Sequence, residues 1–316
     1  MTGLVLTLGE SMGLVRAVEP GRLELVSTMT LGFGGAESNV AIALARLGVP
    51  VRWVGRVGAD GVGRRIAREL RAEGVDVVAL EQHDAPTALM LKNTVAGMTV
   101  VSYYRKGSAG SMLDPSDVER LDLSGVALVH VTGITLAISE SARQATRRLV
   151  VRAREAGCLV SFDVNHRSAL WAADVAAAQY RELVADVDIV FAGADEAELV
   201  LGAREEPARL ARGLRALGPR EVVVKLGEAG CHALSAESTV DQAAYSVNVV
   251  DTVGAGDAFV AGYLAELLAG SPLETRARTA VLAGAMACTS PGDWEGAASA
   301  RELEELATRG ADPVKR

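Results

Sequence analysis

Short β-branched runs punctuate the chain at Leu4 to Leu8, Val51 to Val54, Ala127 to Val131, Leu159 to Phe162, Ile189 to Phe191 and Val222 to Lys225. Between most of them lie stretches whose apolar residues recur at helical spacing, such as Asn39 to Leu47, Val62 to Glu73 and Ser141 to Ala156. Strands separated by helix-length connections pair in parallel, because a parallel partner can only be reached by a long crossover. The pattern therefore predicts an α/β fold built from parallel βαβ units.

Two regions break the rhythm, about 14–33 and 87–105. In the second, Ala88 to Val95 and Thr99 to Tyr104 read as strands separated by Ala96-Gly97-Met98, a hairpin. Successive strands without intervening helices predict a small antiparallel sheet outside the main one, set as a lid over it. After Asp251 the chain turns mainly helical, with segments from Ala258 to Ala269 and from Glu274 to Cys288, and the tail after Ala311 reads as frayed. No internal repeat or low-complexity linker is visible. The expectation is a single domain over 1–316 with the small lid inserted in it.

Composition narrows the class. A chain of 316 residues with 49% hydrophobic and 4% aromatic residues can bury a large core and suits close helix-on-sheet packing. A net charge of -8 argues against nucleic acid, whose phosphate backbone needs a basic face. The first residues carry no basic leader, and no apolar run is long enough to span a bilayer, so a cytoplasmic protein without a membrane partner is expected. Cys158, Cys231 and Cys288 are widely spaced and odd in number, and the four histidines include no His-x-x-x-His pair. Neither a disulfide framework nor a metal cluster follows; His130 and His166 read as core-edge or hydrogen-bonding residues.

The richest chemistry lies in Val250-Asp251-Thr252-Val253-Gly254-Ala255-Gly256-Asp257-Ala258-Phe259. Glycines let the backbone approach a ligand, and the start of the following helix offers free N–H groups, so Gly254, Ala255 and Gly256 form a candidate anion cradle. A carboxylate there opposes the anion unless it takes part in a reaction. Phosphoryl transfer gives it one role, with Asp257 accepting the proton of an attacking hydroxyl while the amides stabilise the moving charge. The competing reading makes Asp257 a helix N-cap beside a tight turn. A Gly-x-x-x-x-Gly-Lys-[Ser/Thr] loop is absent, and Gly32-Phe33-Gly34 fails the dinucleotide pattern because Glu37 stands where its last glycine belongs.

The stretch from Val250 to Gly262 resembles the C-terminal motif of the ribokinase-like (PfkB) carbohydrate kinases. Gly34-Gly35-Ala36-Glu37-Ser38-Asn39-Val40-Ala41, with Gly48 and Gly58 following, resembles the family's N-terminal motif. The resemblance implies a ribokinase-like fold, with a mainly parallel central sheet flanked by helices in three α/β/α layers, a β-lid that often serves as a dimer interface, and MgATP as phosphoryl donor, with potassium activation in parts of the family. By matching position it implies Asp257 as base, Gly254, Ala255 and Gly256 as anion hole, and Gly34, Gly35 and Asn39 against the acceptor. Lys225, Gly227 and Gly230 match the family's nucleotide loop, with Asn165 and Asp251 also expected near the phosphates. Glu196 matches the glutamate of its Asn-x-x-Glu segment and is expected to act on magnesium indirectly, although Gly193 stands where asparagine is usual. An acidic first helical turn explains Glu196 equally well.

Within that family, Ser102-Tyr103-Tyr104-Arg105, His130-Val131-Thr132-Gly133-Ile134, Phe162-Asp163-Val164-Asn165-His166-Arg167 and Cys288-Thr289-Ser290-Pro291-Gly292-Asp293 are similar to 2-keto-3-deoxygluconate kinases. A sugar acid needs a cation, and the planar guanidinium suits a carboxylate, so Arg105 and Arg167 are its candidate partners, with Tyr103 and Ile134 as further contacts and Asp293 nearby. Against this, an arginine in so arginine-rich a chain often just faces solvent, and one of Tyr103 and Tyr104 should pack into the lid because they alternate on a strand. Asn165 and Arg167, two apart, should face the same side of an extended segment. A kinase for a neutral sugar such as fructose or ribose, and a sugar-binding protein without catalysis, remain the alternatives.

Overall fold

The structure, a computed structural model, describes residues 3–308. The tail expected to fray after Ala311 lies outside the described residues.

Among the described residues thirteen strands form two sheets. In chain order they are β1 (Leu4–Leu8), β2 (Met12–Ala17), β3 (Met29–Gly34), β4 (Val51–Gly58), β5 (Asp76–Gln82), β6 (Leu89–Val95) and β7 (Met98–Tyr104). They continue with β8 (Val126–Thr132), β9 (Leu159–Asp163), β10 (Ile189–Gly193), β11 (Glu221–Lys225), β12 (Cys231–Leu234) and β13 (Thr239–Gln242). The large sheet has nine strands in the order β13-β12-β11-β10-β9-β8-β1-β4-β5. All its neighbours run parallel except β11–β12 and β12–β13.

Each parallel strand feeds two cores. On β10, Ile189 and Phe191 face one hydrophobic cluster while Val190 and Ala192 face the other. A strand covered on both sides must be apolar throughout, which is why these segments read as continuous runs instead of alternations. The helix Ala36–Arg46 and the pair Ala255–Leu268 and Leu273–Ala287 cover one face. Helices Glu140–Glu155, Ala173–Val184 and Pro207–Arg215 cover the other. This is the expected three-layer arrangement.

The second sheet holds four strands in the order β3-β2-β6-β7. It corrects the sequence expectation in three details. Its first segment begins at Met12, two residues before the expected start. Its central pair, β2 and β6, runs parallel, so two antiparallel pairs meet side by side. The hairpin turns on Ala96 and Gly97 alone, with φ of 50° and 79°, and Met98 already belongs to β7; two positive φ values match the twist of the flanking strands. One face of this sheet buries Met12, Leu14, Ala88 and Met90, with Val101 against them.

The chain leaves β1 for β4 on one side and later returns to β8 on the other. At such a reversal the loops after the strands splay apart and leave a crevice at their carboxyl ends.

Candidate active site

A cleft of about 550 Å³ opens at those carboxyl ends, roofed by the cleft-facing residues of the small sheet. Residues just after β1, β8, β9 and β10, the end of β11, and the starts of the helices Ala36–Arg46 and Ala255–Leu268 all reach it.

Asp257 lies at its floor, 8% exposed. It is the third residue of its helix, and Gly254 occupies the N-cap, so the competing N-cap reading does not hold. Burial raises its carboxyl pKa to about 7, with the Asn39 hydrogen bond pulling the other way and the Asp163 charge adding to the rise. Asn39 donates from Nδ2 to Asp257 Oδ2 at 2.8 Å and accepts the Gly35 N–H on Oδ1 at 3.3 Å. The two sequence motifs thus meet through one amide. Asn165 Nδ2 approaches the other carboxylate oxygen at 3.5 Å.

Gly254 takes φ +77°, and a Cβ there would stand 1.8 Å from the Asp293 carbonyl oxygen. Only glycine suits both demands. Gly254 and Gly256 line the cleft and have no backbone acceptor among the described residues. Ala255 does not line it, and its N–H donates to Thr252 O at 3.3 Å, so of the three expected cradle residues Gly254 and Gly256 face the cleft.

Among the residues expected at the acceptor, Gly35, Tyr103, Arg105, Ile134 and Arg167 line the cleft. Gly34 sits just behind it, where a Cβ would strike the Asp293 carboxylate at 2.2 Å. Tyr103 and Tyr104 are 46% and 63% exposed, so neither packs into the sheet as expected; the Tyr103 ring lies under the Arg105 guanidinium instead. Arg105 is tied to buried Glu10 by Nε at 2.9 Å and Nη2 at 2.6 Å. Glu10 also accepts from Ser108 Oγ at 2.5 Å. Arg167 is exposed, donates to His166 O at 3.0 Å and makes no ion pair among the described residues. The segment that carries it is not extended: Asn165 has φ +38°, an uncommon value for a non-glycine residue. Both Asn165 and Arg167 still reach the cleft.

Lys225 meets Asp163 at 2.7 Å. Burial works against its ammonium, but the charges of Asp163 and Glu196 outweigh that and hold its pKa above the ordinary lysine value. Glu196 accepts the His166 N–H at 2.8 Å and the Gly193 N–H at 2.6 Å. Burial raises its pKa, against the pull of Lys225. The first-turn capping role is therefore real, and a carboxylate keeps lone pairs for further donors. Glu196 fits contact with a metal through bound water, as magnesium on nucleotide phosphates requires. A Cβ on Gly193 would lie 2.7 Å from Asp195 Oδ1, so Asp195 occupies the space of the missing asparagine side chain.

Gly227, Gly230 and Asp251 do not line the cleft. Gly230 has a packing reason, since its Cβ would meet Gln242 O at 1.9 Å. Asp251 is engaged by Lys92 at 2.5 Å. The sequence reading missed Glu10, Met90, Lys92, Asp163 and Asp195, all of them cleft-lining. Lys92 carried a legible signal, a charge among the apolar residues Leu89-Met90-Leu91. Glu37, which broke the dinucleotide pattern, is fully buried and accepts from Thr132 Oγ1 at 2.6 Å and Thr135 Oγ1 at 2.5 Å. It pins the start of its helix to the end of β8. His130 is also fully buried, bonded to Ser161 Oγ at 2.7 Å, and burial lowers its pKa to about 3, in keeping with a neutral core residue.

The pfkB family of carbohydrate kinases matches residues 2–299. The 2-dehydro-3-deoxygluconokinase of Bacillus subtilis is 37% identical over 302 residues, covering 94% of this chain and 93% of that protein. The enzyme of the same name from Thermoproteus tenax is 38% identical over 312 residues, covering 96% and 93%. A crystal structure of a putative ribokinase II from E. coli, in complex with ATP and Mg2+, superposes with a TM-score of 0.90 at 26% identity, covering 98% of this chain and all of that one. The chain therefore belongs to the pfkB family of carbohydrate kinases, phosphotransferases that act on a sugar hydroxyl.

Proposed function

We propose that this kinase transfers the γ-phosphoryl group of MgATP to a hydroxyl of 2-keto-3-deoxygluconate, with Asp257 as general base. The observation that carries the reading is Asp257 itself, a buried carboxyl of pKa about 7 at the cleft floor beside the free amides of Gly254 and Gly256. A base of that pKa accepts a hydroxyl proton efficiently near neutral pH. The amides and the helix start then face the charge on the transferring group. Asn39 and Asn165 hold the carboxylate so that one oxygen meets the acceptor. Lys225 stands at the phosphate end, where Glu196 would hold magnesium through water and the metal would supply neutralisation of phosphate charge.

The acid acceptor rests on the two relatives' activity and on Arg167, a cleft guanidinium with no ion-pair partner among the described residues. Arg105 argues less strongly. Its charge is already compensated by Glu10, which favours a second reading in which Arg105 and Tyr103 hydrogen-bond a neutral sugar.

The deciding experiment is ADP release from MgATP with 2-keto-3-deoxygluconate, fructose, ribose and gluconate as acceptors. Preference for the keto acid, lost selectively in Arg167→Ala, supports the sugar-acid reading; preference for fructose or ribose installs the second. Asp257→Asn should reduce turnover by about 10²- to 10⁴-fold, the usual worth of general-base assistance, and near-normal turnover would remove Asp257 from that role.

A further inference from the structure

Arginine supplies 28 of the 32 basic residues and lysine four, yet Lys92 is only 5% exposed. It sits on the cleft face of β6, between Arg16 of β2 and Val101 of β7. Its ammonium meets Asp251 Oδ2 at 2.5 Å, joining the small sheet to the loop that enters the Gly254 turn. The same carboxylate accepts the Val253 N–H on Oδ1 at 3.2 Å and the Gly292 N–H on Oδ2 at 3.4 Å. Asp251 therefore shapes the segment that places Val253 and Gly254 at the cleft.

That arrangement poses an electrostatic problem. A bare carboxylate three residues ahead of amides that receive a phosphoryl group would repel it in a poorly solvated site. Asp293 and Glu295 add negative charge to the same neighbourhood, where Lys92 and Arg16 are the cations. Without Lys92, one cation would face three carboxylates.

We propose that Lys92 is a positioning residue for phosphoryl transfer: by neutralising Asp251 it couples the docking of the small sheet to the shape and charge of the Gly254–Gly256 turn. The proposal rests on reading that turn as the anion hole. It does not depend on which acceptor is correct, because it is tested with an acidic and a neutral acceptor side by side.

The test compares Lys92→Met, Lys92→Arg, Asp251→Asn and the Lys92→Met/Asp251→Asn double variant by kcat, by KM for both substrates and by melting temperature. Lys92→Met should lower kcat about tenfold or more, less than the 10²- to 10³-fold loss of an anion-hole donor. The loss should be equal for both acceptors, with their KM values nearly unchanged, as for an interaction made in the transition state. Lys92→Arg should keep most of the turnover. Adding Asp251→Asn to Lys92→Met should recover part of the loss, since an unpaired buried charge costs more than a missing pair.

A rise in KM confined to the acidic acceptor would overturn the proposal and make Lys92 a substrate contact. Additive losses in the double variant, or a kcat loss that merely follows a fall in melting temperature, would also overturn it. Should Lys92→Met fail to fold, Lys92→Arg and Asp251→Asn decide: high turnover in the first with loss in the second supports the coupling, and full turnover in the second refutes it.

Discussion

Asp257 is basic because it is buried. Water is withheld from its carboxylate, so the proton binds more tightly than on an exposed aspartate, and the pKa climbs from 3.8 to about 7. In the proposed role of general base it must be deprotonated, so kcat/KM should rise with pH to about 7 and fall about tenfold per unit below it. Asp293, which also lines the cleft and is raised to about 6, chiefly by burial, is the rival for that limb. A pH profile of Asp293→Asn that keeps the limb near 7 assigns it to Asp257; a profile that loses the limb transfers it to Asp293. The same shift has a stability sign. A raised carboxyl binds its proton more tightly when folded, so its stabilising contribution is complete below pH about 4 and is lost as pH rises through about 7. Asp257→Asn should therefore hold its melting temperature better than the wild type between about pH 5 and pH 8. At this scale the sequence offered Asp257 from its glycine-rich segment, and Asn39 and Arg167 through the family resemblance. It could not name Glu10 or Asp163, because their place at the cleft depends on partners, Arg105 and Lys225, far away in the chain.

At the scale of elements, two helix starts converge on one carboxylate. Helix Ala36–Arg46 is fixed by Glu37 to Thr132 and Thr135, and it delivers Asn39 to Asp257. Helix Ala255–Leu268 begins at Gly254, whose left-handed φ reverses the chain into its first turn. Gly254→Ala should be costly on two counts, backbone strain of about 1 kcal/mol or more and the 1.8 Å clash with Asp293 O. Its kcat should fall well beyond any change in KM for ATP, measured by steady-state kinetics beside a thermal melt. A variant with normal kcat would mean that the turn relaxes freely and carries no catalytic geometry. The periodicities placed the segments they named to within a few residues, although β5 and the helices Ala173–Val184 and Pro207–Arg215 went unnamed; the Ala36–Arg46 helix starts three residues before the expected Asn39. Gly-Ala-rich starts carry little apolar pattern, and it is tertiary pinning by Glu37, not propensity, that sets the boundary.

At the scale of the molecule, the parallel sheet was legible because each buried strand is apolar on both faces, whereas β12 and β13 were not, being four residues each. The parallel pairing of β2 with β6 was also hidden, since nothing in either strand specifies the direction of its neighbour. The face of the small sheet away from the cleft exposes Leu31, Met98, Val100 and Tyr104. We propose that a second copy of the chain covers it, as the sequence reading anticipated. Light scattering after size exclusion should show a dimer for the wild type and a monomer for Leu31→Lys, and a monomeric wild type would dismiss the idea. Among the described residues no helix is long and apolar enough to cross a membrane.

The hydrogen bond from Asn39 to Asp257 spans 218 positions of sequence. Its consequence lies in biosynthesis. The ribosome will have made β1 through β13 before Asp257 exists, and until the helices Ala255–Leu268 and Leu273–Ala287 emerge, the sheet face carrying Val5, Phe191 and Val223 has no cover from them. At that stage only earlier helices such as Ala36–Arg46 are available to cover that face, and apolar surface left bare during synthesis favours aggregation. Asn39 is therefore made long before the residue it holds.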